Sequence, residues 1–174
     1  MKLVSLLERL EYTCLQGTTD QEVKNVIYDS RKVEEGSLFI CIRGAVVDGH
    51  KFVPDVVAKG AKVLVVEEAV EAPEDVTVIL VKDTRYAMAF ISAAYFGYPA
   101  EKLKTIGITG TKGKTTTTYM VKSILENAGY KVGLIGTIEA IIGDRKIPAK
   151  NTTPESYMVQ EYFHEMVEAG CDCV

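Results

Sequence analysis

The stretch "GITGTKGKTTTTYM", residues 107–120, joins an apolar, β-branched run to a helical pattern through a glycine-rich turn. The run it grows from, "KTIGIT" (104–109), has the composition of a short strand buried on both faces. Beyond it, Met120, Val121, Ile124, Leu125 and Ala128 recur at helical spacing. They predict one inward stripe on a helix over about 114–128, stopped by Gly129. "KVGLIGT" (131–137) then opens a new strand. Strand, loop, helix and strand make a β-α-β unit, and such a crossover implies a parallel sheet.

A loop that leads from a buried strand into a helix N-terminus can aim several backbone N–H groups at one anion, aided by the helix dipole. Gly110 and Gly113 let that backbone come close to phosphate oxygens without a Cβ in the way. Lys114 supplies a point charge for β- and γ-phosphates, and the Thr115 hydroxyl is placed to ligate a Mg²⁺ that bridges them. Thr111, Lys112 and Thr116 complete the candidate ATP-binding loop, 110–116. Lys112 also reads as an additional surface lysine. The strict phosphate-loop pattern asks for glycine at 108, where this chain has Ile108; its glycines fall at 107 and 110. The competing reading is a threonine-capped helix with a solvated lysine, but four threonines are poor material for a first helical turn.

Outward from the loop, the composition excludes several classes. The chain has 174 residues, 47% of them hydrophobic and 25% charged, with a net charge of −4, so it lacks the basic excess of a nucleic-acid surface. No apolar run approaches the roughly 20 residues of a membrane span, and "MKLVSLLERLEY" carries acids too early for a signal peptide. Cys14, Cys41, Cys171 and Cys173 form no C-x-x-C pair and read as reduced thiols in a cytoplasmic protein. His50 and His164 are remote from them in sequence, so no side-chain metal centre is expected.

The N-terminal half reads as helix "LVSLLERL", then strand-like runs "VKNVIYDS", "SLFICIRG", "KVLVVEE" and "VTVILVKD". A turn and helix within "DGHKFVPDVVAKG" end at Gly60, and a buried helix over 83–97 stops at Gly97 and Pro99. "YPAEKLK" (98–104) is the linker candidate. "IIGDRKI" is a hairpin signal. A final helix spans about 155–169 with Met158, Val159, Tyr162, Phe163 and Met166 inward, and Thr153 and Pro154 can supply its cap and first position. Cys171 and Cys173 occupy alternate positions of a strand. The stop at "CDCV" reads as a cut within a longer protein.

Three motifs in order carry a resemblance over nearly all of the chain. "GITGTKGKTTTT" is similar to the ATP-binding loop of the Mur ligase family. "YDSRKVEEGSLFICIRGAVVDGHKF" (28–52) resembles that family's N-terminal signature, and "NTTPES" (151–156) its segment in the UDP-N-acetylmuramoyl-tripeptide synthetases. Glu35, Ser37 and Lys112 depart from the commoner proline, aspartate and asparagine.

The resemblance implies an α/β fold in two parts. Residues 1–98 would be a UDP-muramoyl substrate-binding domain. Residues 99–174 would be the start of a phosphate-loop ATPase domain with a mostly parallel sheet. It implies substrate contacts at Ser30, at Ala45, Val46 and Val47, and at Asn151, Thr152 and Thr153. Asp29-Ser30-Arg31 also reads as a turn, and His50 either as a cap or as a substrate neighbour. The implied reaction is ATP-dependent amide ligation in peptidoglycan precursor synthesis. The carboxylate of UDP-N-acetylmuramoyl-L-alanyl-D-glutamate is phosphorylated and then attacked by a diamino acid, meso-diaminopimelate or L-lysine, with Mg²⁺ on Thr115 and Lys114 as the catalytic charge. Another Mur-type or folylpolyglutamate ligase, or a non-catalytic nucleotide-binding module, are the alternatives. The parent is expected to be monomeric. The 174-residue piece is expected to lack ligase activity and to associate through uncovered apolar faces.

Overall fold

Four runs of Val, Ile, Leu and Phe build the first sheet: β2 (Asn25–Ile27), β3 (Ser37–Ile40), β4 (Val63–Val66) and β5 (Thr77–Leu80). They pair in parallel, and β1 (Thr13–Gln16) adds antiparallel to β5, giving the order β1-β5-β4-β3-β2. β3 and β4 are buried at every position, as continuous apolar runs in a parallel sheet should be. β1 carries no such pattern; "TCLQ" lies at the edge with three of its four residues exposed, which is why its sequence does not announce it. The structure, a computed structural model, describes residues 1–44 and 47–174. They form two compact units, Met1–Tyr95 and Phe96–Val174.

In the first unit α1 (Leu3–Leu6), α2 (Val53–Ala58) and α3 (Thr84–Tyr95) flank the sheet. Val53 and Val56 of α2 join Phe39, Leu64, Val66 and Val78 in one apolar cluster. α1 and α3 pack on each other, with α3 also meeting β2. Gly60 follows α2 with φ of +98°, a left-handed stop that a residue with a Cβ resists.

The second unit holds α4 (Lys114–Asn127), β6 (Leu134–Ile135), β7 (Glu139–Ile142), β8 (Arg145–Pro148) and α5 (Ser156–Glu168). β6, β7 and β8 are antiparallel, and Gly143 (φ +57°) turns the β7–β8 hairpin. The parallel part is short and lies around residues 172–174. Cys173 bridges Lys104 on one side and Val132 on the other, both in parallel. Lys104 N–H donates to Asp172 O at 2.9 Å, Ile106 N–H to Val174 O at 2.9 Å and Gly133 N–H to Cys173 O at 2.8 Å. Leu103, Ile142, Met166 and Cys171 form the core, with Tyr162, Phe163 and Val167 of α5 against it.

Four sequence expectations are corrected. Residues 105–109 form no strand and are largely exposed, because among the described residues only 172–174 pairs with their stem. The α4 stripe is not buried: Met120 is 61% and Ile124 68% exposed, whereas Val121 and Leu125 are half-buried. Helix α5 is not capped by Thr153 with Pro154 in its first turn; its N-cap is Glu155. Finally, "YPAEKLK" is not a loose connection. Pro99–Lys102 is a turn of 3-10 helix that packs on α5, with Pro99 and Leu103 buried. Among the described residues no helix is long and apolar enough to cross a membrane.

Candidate functional site

Two places gather the candidate residues, one in each unit. In the second unit the loop reaches α4 through Gly110 (φ +151°) and Gly113 (φ +79°). A Cβ at Gly113 would meet nothing within 4 Å, so glycine is required there by the backbone angle and not by crowding. Gly113 is the N-cap of α4 and has no side chain to bond the first turn, so the helix opens with N–H groups facing outward. The Lys114 ammonium folds back and donates to Gly110 O at 2.6 Å. Thr111 and Lys112 are exposed.

The four threonines divide into two pairs. Thr117 Oγ1 donates to Gly113 O at 2.9 Å, and Thr118 Oγ1 to Thr115 O at 2.8 Å. Thr115 and Thr116 hydroxyls have no partner among the described residues. The second pair is bonded to carbonyls of its own helix start; the first remains open. Unpaired N–H groups, an ammonium and two open hydroxyls at one helix start can receive a polyanion and its cation.

Thr152, Thr153 and Pro154 line a cavity of about 450 Å³ with Thr105–Ile108 of the loop's stem and Thr118, Val121 and Leu125 of α4. Asn151 turns instead to a second cavity, about 250 Å³, with Pro148, Met158 and Tyr162. The structure thus joins Thr152 and Thr153, but not Asn151, to the stem of the glycine-rich loop, and not to its tip. Behind the loop, Tyr119 Oη donates to Glu139 Oε1 of β7 at 2.8 Å. This tie matters because α4 has no fully buried residue.

In the first unit Ser30 and Val47 line one cavity of about 470 Å³ with Tyr28, Asp29, Arg31, Phe39, Ile42, Gly49 and Phe52. Ala45 and Val46 lie outside the described residues. Asp29 accepts from Arg31 N–H at 3.1 Å, Nε at 2.9 Å and Nη2 at 2.7 Å, which locks the turn. The Arg31 side chain, through those bonds, holds the Asp29 carboxyl down at about 2. Lys59 Nζ donates to Ser30 O at 2.8 Å, while the Ser30 hydroxyl has no partner among the described residues. A turn fixed through its backbone with its hydroxyl left over is ready for a ligand. Tyr28, Phe39 and Phe52 were not singled out in the sequence. The signal was there, Tyr28 directly before Asp-Ser-Arg and Phe52 just after Asp-Gly-His, but core burial explains such residues equally well.

His50 is neither cap nor cavity wall. Asp48 caps the short turn Gly49–Phe52, accepting from His50 N–H at 3.0 Å, and the imidazole is buried at 8% residue exposure. Asp48, His50 and Glu68 bring ligand atoms within 4.8 Å of one another. Arg43 already occupies that cluster, with Nε 3.1 Å from Asp48 Oδ2 and Nη2 3.1 Å from Glu68 Oε2. Cys41 is buried, and desolvation pushes its thiol up to about 12, far from a reactive thiolate.

The fold and these two places define an α/β protein with a glycine-rich loop at a helix start and a separate unit bearing an aromatic-lined cavity. Two family models match in tandem: "Mur ligase family, catalytic domain" over residues 22–96 and "Mur ligase middle domain" over residues 108–174. The chain belongs to the Mur ligase family. It is 53% identical, over its whole length, to 36% of UDP-N-acetylmuramoyl-L-alanyl-D-glutamate--2,6-diaminopimelate ligase of Clostridium perfringens. To the Geobacillus kaustophilus protein of the same name it is 44% identical over 100% of the chain and 35% of the relative. The chain therefore spans about a third of the length of the curated relatives it matches. A solved diaminopimelate ligase of that name superposes with a TM-score of 0.78 at 21% identity, covering 99% of this chain and 34% of that one, a likeness of fold. MurF from Acinetobacter baumannii superposes with 0.64 at 28% identity over 94% of this chain and 32% of its own.

Proposed function

We propose that the chain carries the nucleotide-sugar unit and the phosphate loop of an ATP-dependent ligase. That ligase adds a diamino acid to UDP-N-acetylmuramoyl-L-alanyl-D-glutamate in the cytoplasm. The observation that carries the reading is the division of the threonines. Thr117 and Thr118 are spent on the helix, while Thr115 and Thr116 stay open beside Lys114 and the free first-turn N–H groups. The names of the relatives, at 53% identity, favour diaminopimelate over lysine as the amino acid added.

In this reading the loop 110–116 receives the triphosphate. Lys114 leaves Gly110 O for the phosphates, so the loop carbonyl acts as a resting partner that holds the ammonium at the site. The open Thr115 hydroxyl fits a Mg²⁺ ligand, and that ion supplies charge neutralisation on the phosphate oxygens when bound. The amides of the α4 start and Lys114 stabilise charge that develops as the γ-phosphoryl passes from ATP to the substrate carboxylate, giving an acyl phosphate and ADP; the incoming amine then attacks the acyl carbon, forming the amide and releasing inorganic phosphate. Thr152 and Thr153 border the cavity next to the loop's stem and suit the peptide end of the substrate, and Asn151 is assigned to the same substrate. Ser30 and Val47, with Ala45 and Val46, are assigned to the uridine diphosphate end, where Tyr28 and Phe52 offer faces for a base.

Amide NMR titration tests both halves on the 174-residue chain. MgATP should shift residues 110–116, and UDP-N-acetylmuramoyl-L-alanyl-D-glutamate should shift residues 28–31 and 47–52. Lys114→Ala should weaken MgATP binding by roughly tenfold or more, the weight of a charge-assisted contact. MgATP shifts that avoid 110–116, or survive Lys114→Ala unchanged, would remove the loop from the mechanism.

A further inference from the structure

His50 follows Gly49, a wall residue of the cavity that holds Ser30 and Val47, and its two ring nitrogens have unlike partners. Nε2 lies 3.0 Å from the backbone N–H of Glu67, at the end of β4. That amide can only donate, so Nε2 must present its lone pair. Nδ1 lies 2.6 Å from Asp48 Oδ1 and carries the proton toward it. Asp48 is kept ionised, with its pKa lowered to about 2, first by the His50 backbone N–H and next by the ring. Its other oxygen accepts from Arg43 Nε at 3.1 Å.

The residues around the ring form one connected set. Arg43 and Asp48, the latter next to Val47, bridge each other in antiparallel pairing. Glu67, whose amide feeds Nε2, spends its carboxylate on the start of α3: Oε1 accepts from Thr84 N–H at 2.8 Å and Thr84 Oγ1 at 2.7 Å. Its Oε2 faces Arg43 Nη1 at 3.8 Å, and Glu68 faces Arg43 Nη2. The imidazole is thus the buried joint between a loop that reaches the cavity and two elements of the sheet-and-helix frame. Both nitrogens are taken and a guanidinium fills the acidic cluster, so this set is built to hold a loop and not a metal.

We infer that His50, in its neutral Nδ1–H tautomer, is a positioning residue for the nucleotide-sugar substrate: it fixes Asp48 against Arg43, and Val47 beside Asp48 with it. The role rests on the substrate reading of the Ser30 cavity given above. It requires no contact between the imidazole and the ligand.

Two experiments on the 174-residue chain test it. A two-bond ¹⁵N–¹H correlation spectrum of the imidazole should show a pyridine-type Nε2 and a pyrrole-type Nδ1. The reverse pattern would overturn the assignment without any variant. Affinity for UDP-N-acetylmuramoyl-L-alanyl-D-glutamate is then compared for His50→Asn and His50→Gln. Asparagine keeps a donor near the Nδ1 position toward Asp48 and leaves the Glu67 amide unpaired. Glutamine keeps an acceptor for that amide and loses the tie to Asp48. The Asn variant should be the less stable of the two yet bind within about threefold of the parent, while the Gln variant should bind about tenfold more weakly, the weight of one charge-assisted bond. Affinity that simply follows stability in the two variants, or equals that of the parent in the Gln variant, would overturn the role of His50 and leave the cavity reading in place. A parent chain that does not bind the compound at all would overturn the cavity reading, and the role with it.

Discussion

Gly49 offers a clean test of how tightly the cavity wall is built. A Cβ placed on it would lie 2.7 Å from both Ile42 N and Ile42 O and 2.9 Å from Cys41 C, all backbone atoms of the segment that continues β3. Gly49 has no positive φ, so alanine brings no conformational strain of its own and the whole effect is steric. The approach is close because Gly49 N–H donates to Ile42 O at 2.9 Å, and Cys41 N–H donates to Val65 O at 2.9 Å behind it. Relief must therefore either break the first bond or push a fully buried strand end. Leaving a buried backbone group unpaired costs about 1–3 kcal/mol, and overpacking costs about 1–3 kcal/mol. The two routes share the same displacement, so Gly49→Ala should cost about 2–4 kcal/mol in the first unit.

The chain has no tryptophan, which makes amide hydrogen exchange the better assay. At 1.4 kcal/mol per tenfold, amides of β3 and β4 should exchange roughly 30- to 700-fold faster in the variant. Amides of α5, in the other unit, should be unaffected. Gly107→Ala is the control, since a Cβ there meets nothing within 4 Å and the φ is not positive. Unchanged β3 and β4 protection in Gly49→Ala would refute the claim that this wall is set by backbone contact.

Other outcomes follow from the same geometry. Asp29 and Asp48 both have folded-state pKa values lowered to about 2, so their stabilisation is complete above about pH 4 and is lost as pH falls through about 2. After solvent screening each is worth about 1 kcal/mol, and Asp29→Asn with Asp48→Asn should flatten the acid limb of first-unit urea stability; an unchanged slope would exclude them. Met166 is fully buried, and Met166→Ala should cost about 2–5 kcal/mol in the second unit. A Cβ on Gly133 would overlap the Met166 thioether, so Gly133→Ala should destabilise alone but add little to Met166→Ala in a double-mutant cycle; strict additivity would contradict the contact. Tyr119→Phe removes the α4 bond to Glu139 and should lower α4 amide protection by about 1 kcal/mol without touching the first unit, a result that normal α4 exchange would disprove.

The glycine-rich turn into α4 was legible because every requirement it meets is local. Positive φ at Gly110 and Gly113, a lysine at the first helical position and threonines behind it need no distant partner. The same holds for the stops at Gly60, Gly97 and Gly129, all with positive φ, and for the strands β2 to β5, whose apolar runs bring their own burial. The corrections concern features that depend on a neighbour. The exposed side of α4, with Met120 and Ile124, has the spacing of a core face, but spacing does not say what covers it. The N-cap of α5 moved to Glu155 because Thr153 and Pro154 face the 450 Å³ cavity and not the helix start.

Sequence alone determined the local chemistry: a glycine-rich turn into a helix, its lysine and hydroxyls, the Asp-Ser-Arg turn and the apolar runs of strands β2 to β5. These depend on backbone angles and side-chain types within a few residues of one another. Tertiary structure decided which of those groups are left over for a ligand. Thr117 and Thr118 found carbonyls. The Ser30 carbonyl is held by Lys59, 29 residues away, while its hydroxyl has no partner among the described residues. His50 is a joint because the amide of Glu67, 17 residues on, reaches its ring. A hydrogen bond is exhausted by whichever partner arrives, and the partner that arrives from far along the chain is set by the packing of strands, which no local pattern contains.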